Sequence, residues 1–149
     1  MVDFDHSLLG RLFKTANPVA ITAEMIASFC AMMGETNSVY TNSLQAEAES
    51  SIAPPAFVAT FRALEDIFDY LPKHVPRLAA GMDVEFGESI RAGDAISITS
   101  ELAESYTKTG RSGLMTFFVI RSTLTNQRGG IVARIDHRFT YRDEIKGRQ

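Results

Sequence analysis

Three long segments in the second half of the chain alternate between apolar and polar residues, and this pattern constrains the fold most strongly. Because successive side chains of a β-strand point to opposite faces of the sheet, a period of two predicts strands with one buried face. Glycine-containing segments at 110–113 and 126–130 separate the three and are typical of hairpin turns. A shorter alternation at 82–86 adds at least one more strand, so we predict an antiparallel meander. The three long segments span residues 95–106, 114–125 and 131–141.

The first half of the chain has helical patterns instead. Thr22 can cap a helix that runs to about Met33, and Gly34 follows at the position where a helix commonly ends. A short second helix is predicted from residue 42 or 43, where an Asn or Ser can cap it, through Ala48.

The clearest helical pattern follows a pair of prolines. Pro55 suits the first turn of a helix that we predict from Ala56 to about Tyr70. Apolar residues recur there at steps of four, three and four, which places them on one face. Such an apolar helix must pack on the buried face of the sheet, so we predict an α+β fold in which a curled antiparallel sheet wraps one long central helix, about 56–70. This is the hot-dog arrangement. The residues of the face are Phe57, Phe61, Leu64 and Phe68.

Length and composition indicate one domain over residues 1–149, since 45% of the residues are hydrophobic and 22% are charged. The net charge is −3 and the basic residues are scattered, which argues against a nucleic-acid partner. The sole cysteine, Cys30, lies in a helical pattern, so neither a disulfide framework nor a cysteine-based metal site is available. No metal and no redox cofactor are suggested. With no leader and no apolar run of about 18 residues, we expect a cytoplasmic protein without a membrane segment.

A polar segment follows the first predicted helix and is the main candidate for chemistry. Glu35, Asn37 and Tyr40 stand there as an acid, an amide two residues on and a ring three further on. This grouping suggests a small polar site at a helix end. The alternative is purely structural, because such side chains cap helices and tighten turns in many loops, and a tyrosine can simply pack on the core.

Four features, taken in order, resemble the MaoC-like hydratases and dehydratases, specifically the half known as the FAS1-like or N-terminal MaoC dehydratase domain. The resemblance covers nearly the whole chain and rests on the order and spacing of the features together. The four features are the segment 34–42 (GETNSVYTN), the segment 52–57 (IAPPAF), the segment 90–94 (IRAGD) and the final pair of long strands.

The resemblance implies an activity in fatty acid metabolism, on 2-enoyl or 3-hydroxyacyl groups carried as thioesters of coenzyme A or acyl carrier protein. The family adds water to, or removes it from, the bond beside the thioester carbonyl, which is a lyase reaction. Active members carry Asp, Asn and His at offsets zero, two and five in the loop, where the carboxylate and the imidazole hold a water and move protons. By this resemblance Glu35 falls on the Asp, Asn37 on the Asn and Tyr40 on the His.

The phenol of Tyr40 is a poor replacement for an imidazole. Its ordinary pKa is about 10, far from the neutral range in which histidine exchanges protons. We therefore expect this chain to be the degenerate half of the site, which shapes the acyl tunnel and pairs with an Asp/His-bearing MaoC-type catalytic subunit.

The resemblance also implies a substrate-binding wall. Pro55 controls the entry of the central helix, and the N–H groups of Ala56 and Phe57 lie where a thioester oxygen could bind. Phe57 and Phe61 are core residues first, and the alternative is that they line an acyl tunnel. Six basic residues are candidates to meet coenzyme A phosphates, although such residues usually form only a solvated face. They are Arg62, Lys73, Arg77, Lys108, Arg111 and Arg128.

Three other functions compete with the degenerate half. One is a self-sufficient homodimeric hydratase in which Glu35 alone drives the acid–base steps. Another is an acyl-CoA thioesterase, since the fold is shared and a fold does not fix a function; Glu65 and Asp66 would then be its acids. The last is a non-catalytic binder of acyl thioesters. Because an exposed edge strand invites pairing, we expect a homodimer or a heterodimer in every case.

Overall fold

The computed structural model describes residues 2–41, 51–62, 64–111 and 113–142. The predicted short helix from 42 or 43 through Ala48 lies outside the described residues. The helical elements are the 3₁₀ helix His6–Leu8, α1 (Ala23–Met33), α2 (Ser38–Thr41), the 3₁₀ helix Pro55–Thr60 and α3 (Glu65–Phe68). The strands are β1 (Leu12–Lys14), β2 (Val19–Ala20), β3 (Arg77–Phe86), β4 (Ala95–Gly110), β5 (Gly113–Thr125) and β6 (Ile131–Arg142).

The strands form one antiparallel sheet in the order β1-β4-β5-β6-β3, with β2 also paired to β4. The alternating segments are indeed its long strands, and β4 alone has 16 residues. The register of the strands aligns side chains of the same face with one another. Leu102 on β4 lies opposite Ile120 on β5, and Ile120 lies opposite His137 on β6. The predicted α+β fold class with a curled antiparallel sheet is confirmed.

Helix α1 begins and ends as its sequence predicts. The Thr22 hydroxyl accepts a hydrogen bond from the Met25 N–H at 3.1 Å, and Gly34 adopts φ 67°, a left-handed conformation that glycine reaches without a Cβ penalty. The helix buries Ile26 and Phe29 in the main core. This helix therefore fixes where the polar segment at 35–41 starts.

The central segment differs from the single long helix predicted over 56–70. It is divided into the 3₁₀ helix Pro55–Thr60 and the one-turn helix α3, and the residues next to the break, Phe61 and Leu64, have extended ψ angles of 127° and 133°. The Leu64 N–H, which a continuous helix would bond internally, instead donates to the Ser100 hydroxyl at 3.4 Å. A polar acceptor in the sheet thus supports the break.

The break also explains how one apolar face serves two cores. Phe57, Val58 and Phe61 pack in a cluster with α1 and the nearer ends of the long strands. Ile67, beyond the break, packs in a second cluster with Phe118 and other residues. A straight helix would present all of these side chains in one direction, whereas the divided segment follows the curl of the sheet.

Candidate functional site

The polar segment after α1 is folded largely onto itself. Glu35 Oε1 accepts a hydrogen bond from the Asn37 N–H at 2.9 Å, and Asn37 Oδ1 accepts one from the Val39 N–H at 3.1 Å. The Asn37 carbonyl also accepts from the Tyr40 N–H at 3.0 Å, so Asn37 caps helix α2 through both its side chain and its backbone. Both polar side chains therefore stabilise the loop that carries Tyr40.

Tyr40 is the member of the predicted triad that reaches a cavity. Its half-buried ring packs on the main core, and its carbonyl accepts a long hydrogen bond from the Cys30 thiol at 3.8 Å. With Pro54 and Pro55 it lines a cavity of about 330 Å³, which we call the tyrosine cavity. Among the described residues that line this cavity there is no Glu35, no Asn37 and no histidine. Of the three residues that the sequence grouped, Tyr40 alone lines this cavity.

The predicted substrate-binding residues are divided in the same way. Pro55 lines the tyrosine cavity and Ala56 is exposed outside its lining. Phe57 and Phe61 are 3% and 7% exposed and stack edge-to-face at 5.9 Å, so their described contacts are those of core residues. The Phe57 N–H already donates to the Pro54 carbonyl at 2.9 Å. A tunnel-lining role for these two rings stays a prediction.

The opposite wall of the tyrosine cavity comes from the end of β3 and the residues after it, which sequence reasoning missed. Gly87 crosses the start of β6 so closely that a Cβ placed on it would lie 2.1 Å from the Ile131 carbonyl oxygen. Glu88 follows, and its carboxylate accepts from the Asn126 side-chain amide at 2.8 Å. The only signal in the sequence is a Gly-Glu pair directly after an alternating segment, and that pattern is common in turns.

The motif Ile90–Asp94 positions the proline wall. The Ile90 carbonyl accepts from the Ala53 N–H at 2.9 Å, which ties the residue before Pro54 to this turn. The buried Asp94 carboxylate accepts from the Arg91 N–H at 2.9 Å and from the Gln127 side-chain amide at 3.0 Å. Burial by itself would raise the pKa of Asp94, but these hydrogen bonds and the nearby Arg128 outweigh it and lower the pKa. The hydrogen bonds of this motif therefore hold the proline wall of the tyrosine cavity in place.

Among the described residues, the polar side chains that line the tyrosine cavity are the Tyr40 phenol, the Glu88 carboxylate and the Ser89 hydroxyl, and the other side chains of its walls are apolar. The Cys30 thiol behind the loop has a raised pKa, because burial and the Glu35 carboxylate disfavour the thiolate, so it stays protonated at neutral pH. Within the described ranges no cluster of His, Cys, Asp and Glu is arranged to hold a metal ion. None of the helices described is long and apolar enough to cross a membrane.

A curled antiparallel sheet with a helical segment across its buried face defines the chain as a hot-dog protein. The profile of the family described as the FAS1-like dehydratase domain region matches residues 7–135, and the chain belongs to that family. The resemblance seen in the sequence is thereby confirmed.

Individual proteins are also similar to this chain. A UPF0336 protein of Streptomyces coelicolor is 31% identical over 106 residues, covering 66% of this chain and 71% of the relative. A chain of the C-terminally truncated HadBC (3R-hydroxyacyl-ACP dehydratase) complex of Mycobacterium tuberculosis superposes with a TM-score of 0.72 at 16% identity, covering 89% and 96% of the two chains. A chain of the ChsH1–ChsH2 complex from the same organism gives a TM-score of 0.68 at 16% identity and covers 93% and 90%. At such low identity these structures show the fold.

Proposed function

We propose that this chain is the non-catalytic half of a hydratase/dehydratase for 2-enoyl and 3-hydroxyacyl thioesters of coenzyme A or acyl carrier protein. It would shape the acyl site and pair with a second hot-dog subunit that carries the Asp/His pair. The observation that carries the proposal is Tyr40, which stands at the histidine position of the family loop and lines the tyrosine cavity.

The geometry around Tyr40 supports this role because, among the described residues that line its cavity, neither Glu35 nor a histidine accompanies it. The Tyr40 hydroxyl can donate a hydrogen bond, whereas the imidazole that active members of the family carry in this loop can both take up and release a proton. Glu35, the remaining acid of the motif, accepts a backbone N–H in its own loop. Hydration needs an acid and a base on one water, and the second subunit would supply both.

The edge of the sheet supports pairing. β3 is the terminal strand in the order of the sheet, and nine of its ten residues are exposed. Its apolar side chains Leu78 and Phe86 are 59% and 57% exposed. An exposed edge strand leaves backbone N–H and C=O groups open, and it is a template for sheet extension. The related HadBC and ChsH1–ChsH2 structures are complexes, which agrees with a subunit that works in a pair.

The test is hydration of a 2-enoyl-CoA by the purified chain, alone and mixed with a hot-dog subunit that carries an intact Asp-x-Asn-x-x-His loop, taken from the adjacent gene where one exists. We expect no turnover by the chain alone and turnover by the mixture that exceeds that of the partner alone. Robust hydration by this chain alone would refute the proposal.

The Glu35→Gln variant separates the proposal from a self-sufficient enzyme. A homodimer that depends on Glu35 should lose most of its rate, about 10²-fold or more, because general acid–base catalysis typically contributes that much. A non-catalytic half should change the rate of the mixture little. Detection of free thiol in the same assay tests for a thioesterase, because only hydrolysis releases it.

A further inference from the structure

A second cavity lies beside the break in the central segment, away from the tyrosine cavity. Its volume is about 580 Å³, and both sides of the break and the far halves of β3 and β6 contribute to its walls. Phe68 and Phe139 form an aromatic wall with their rings edge-to-face at 5.4 Å. We call this space the arginine cavity, because Arg62 and Arg77 both line it.

Arg77 is held flat against the aromatic wall. Its guanidinium carbon lies 3.9 Å from the centroid of the Phe68 ring and 5.2 Å from that of Phe139. No carboxylate among the described residues lies within ion-pair distance of it. Arg77 also hydrogen-bonds the Tyr141 side chain, and the rest of its planar edge of N–H donors matches a carboxylate in a bidentate geometry.

His137 reaches the same cavity from β6. Its ring stacks on Phe139 with centroids 6.3 Å apart, and its buried Nδ1 has no hydrogen-bond partner among the residues that the structure describes. Burial lowers the pKa of His137, which leaves the ring neutral at pH 7. Because buried polar atoms are nearly always partnered, an orphaned ring nitrogen on a cavity wall is the kind of group that a bound ligand satisfies.

The acidic residues that line the arginine cavity do not neutralise its hydrogen-bond donors, which are Arg62, Arg77 and His137. Asp69 lines the cavity but is already paired with Lys73 at 2.9 Å. Glu65 is the other acid of the lining and faces two guanidinium groups and one imidazole. An alkyl tail alone needs apolar walls, so these charged side chains indicate a ligand that ends in an anionic, hydrogen-bond-accepting group.

The two cavities are lined by neighbouring parts of the same elements. Val58 lines the tyrosine cavity and the next residue, Ala59, lines the arginine cavity. On β6, Val132 lines the first cavity and His137 the second, five positions further on, which corresponds to about 17 Å of strand. An acyl chain with its thioester beside Tyr40 could therefore place its far end in the arginine cavity.

We propose that the arginine cavity binds a carboxylate at the distal end of the acyl group, so that the substrates are thioesters of long dicarboxylic acids. The Arg77 guanidinium would take the carboxylate in two hydrogen bonds, with His137 Nδ1–H donating a third and Phe68 excluding water from one side. This proposal rests on the proposed function for the identity of the thioester end.

The test uses two saturated probes that cannot be hydrated, dodecanoyl-CoA and dodecanedioyl-CoA, titrated by calorimetry into the purified full-length chain. We expect the diacid thioester to bind about tenfold more tightly, which is the value of a charge-assisted hydrogen bond. The preference should vanish in Arg77→Gln and in His137→Gln. It should persist in Arg134→Gln, a matched arginine on β6 that lies 3.8 Å from Glu85.

A preference below twofold, a preference that survives Arg77→Gln, or no binding of dodecanedioyl-CoA at millimolar concentration would each overturn the proposal. Far-ultraviolet circular dichroism on every variant checks that it is folded, and the His137 imidazole resonances in a ¹H–¹⁵N spectrum should move with dodecanedioyl-CoA and not with coenzyme A alone. The hydration assay with the partner is independent, so activity without a diacid preference would remove only this inference.

Discussion

The hydroxyls of Ser100 and Ser122 share a hydrogen bond of 2.9 Å between neighbouring strands on the buried face of the sheet, and the broken central segment is bonded to this pair. Ser100 also accepts the Leu64 N–H at 3.4 Å, so two polar groups in an apolar layer satisfy a backbone donor that the break would otherwise leave free. This contact supports the division of the central segment.

Replacing Ser100 by Ala should destabilise the fold by about 1–2 kcal/mol, because it leaves a backbone N–H and a hydroxyl without partners. The double variant with Ser122→Ala should cost less than the sum of the single changes, since the two residues share one bond. Urea denaturation of the four proteins measures this coupling. Strict additivity would show that the pair does not act as a unit.

Gly87→Ala should be strongly destabilising, by about 2–3 kcal/mol, because the new Cβ would meet the Ile131 carbonyl oxygen at 2.1 Å and would push β3 away from β6. Gly110→Ala is the matched control, since its nearest neighbour is the flexible end of Met115 at 3.2 Å. Thermal unfolding compares the two. Equal shifts in Tm would contradict the close crossing that forms a wall of the tyrosine cavity.

Asp94→Asn should lower the free energy of unfolding by about 2 kcal/mol at neutral pH, because a buried carboxylate loses charge-assisted hydrogen bonds. The pKa of Asp94 is lowered by folding, so its contribution is present above the unfolded value of about 3.9 and is lost as the pH falls through the folded pKa. The difference between the two proteins should therefore shrink in acid. Asp69→Asn, an exposed partner of Lys73, should change stability by less than about 0.5 kcal/mol at any pH.

Tyr40→Phe tests whether the phenol takes part in proton transfer. The ring and its packing are kept and only the hydroxyl is lost, so hydration by the mixture with a catalytic partner should change less than about threefold, well below the 10²-fold or greater loss expected of a general acid. Initial rates with a 2-enoyl-CoA provide the measurement. A loss of that larger size, with unchanged circular dichroism, would make Tyr40 a catalytic residue.

Lysines on the outer strand should prevent pairing without unfolding the chain. Leu78 and Met82 on β3 are 59% and 44% exposed, so changing both to Lys should leave the free energy of unfolding within about 0.5 kcal/mol of the original value. The added charges should disfavour pairing of another strand with this edge. Sedimentation should then show a monomer, and hydration in the mixture should fall. Met32→Lys, on the exposed side of α1, is the control and should leave the assembly intact.

Much of this architecture could be predicted from the sequence, because the interactions that decide it are local. The alternation in β4, β5 and β6 sets their buried face, and Thr22 and Gly34 bound α1 through bonds within a few residues. The spacing of Glu35, Asn37 and Tyr40 was likewise enough to locate the loop, and the family resemblance predicts that a phenol stands at its histidine position.

The tertiary structure decided what those local patterns could not. The spacing of Phe57, Phe61, Leu64 and Phe68 fits a continuous helix. The segment divides instead, because Ser100, 36 positions beyond Leu64, offers an acceptor and the buried side chains form two separate clusters. A sequence pattern also does not predict the wall that Gly87 forms in the tyrosine cavity, or the one that His137 and Arg77 form in the arginine cavity. Each joins residues far apart in the chain, and only the register of the strands and the curl of the sheet determine which side chains meet across a cavity.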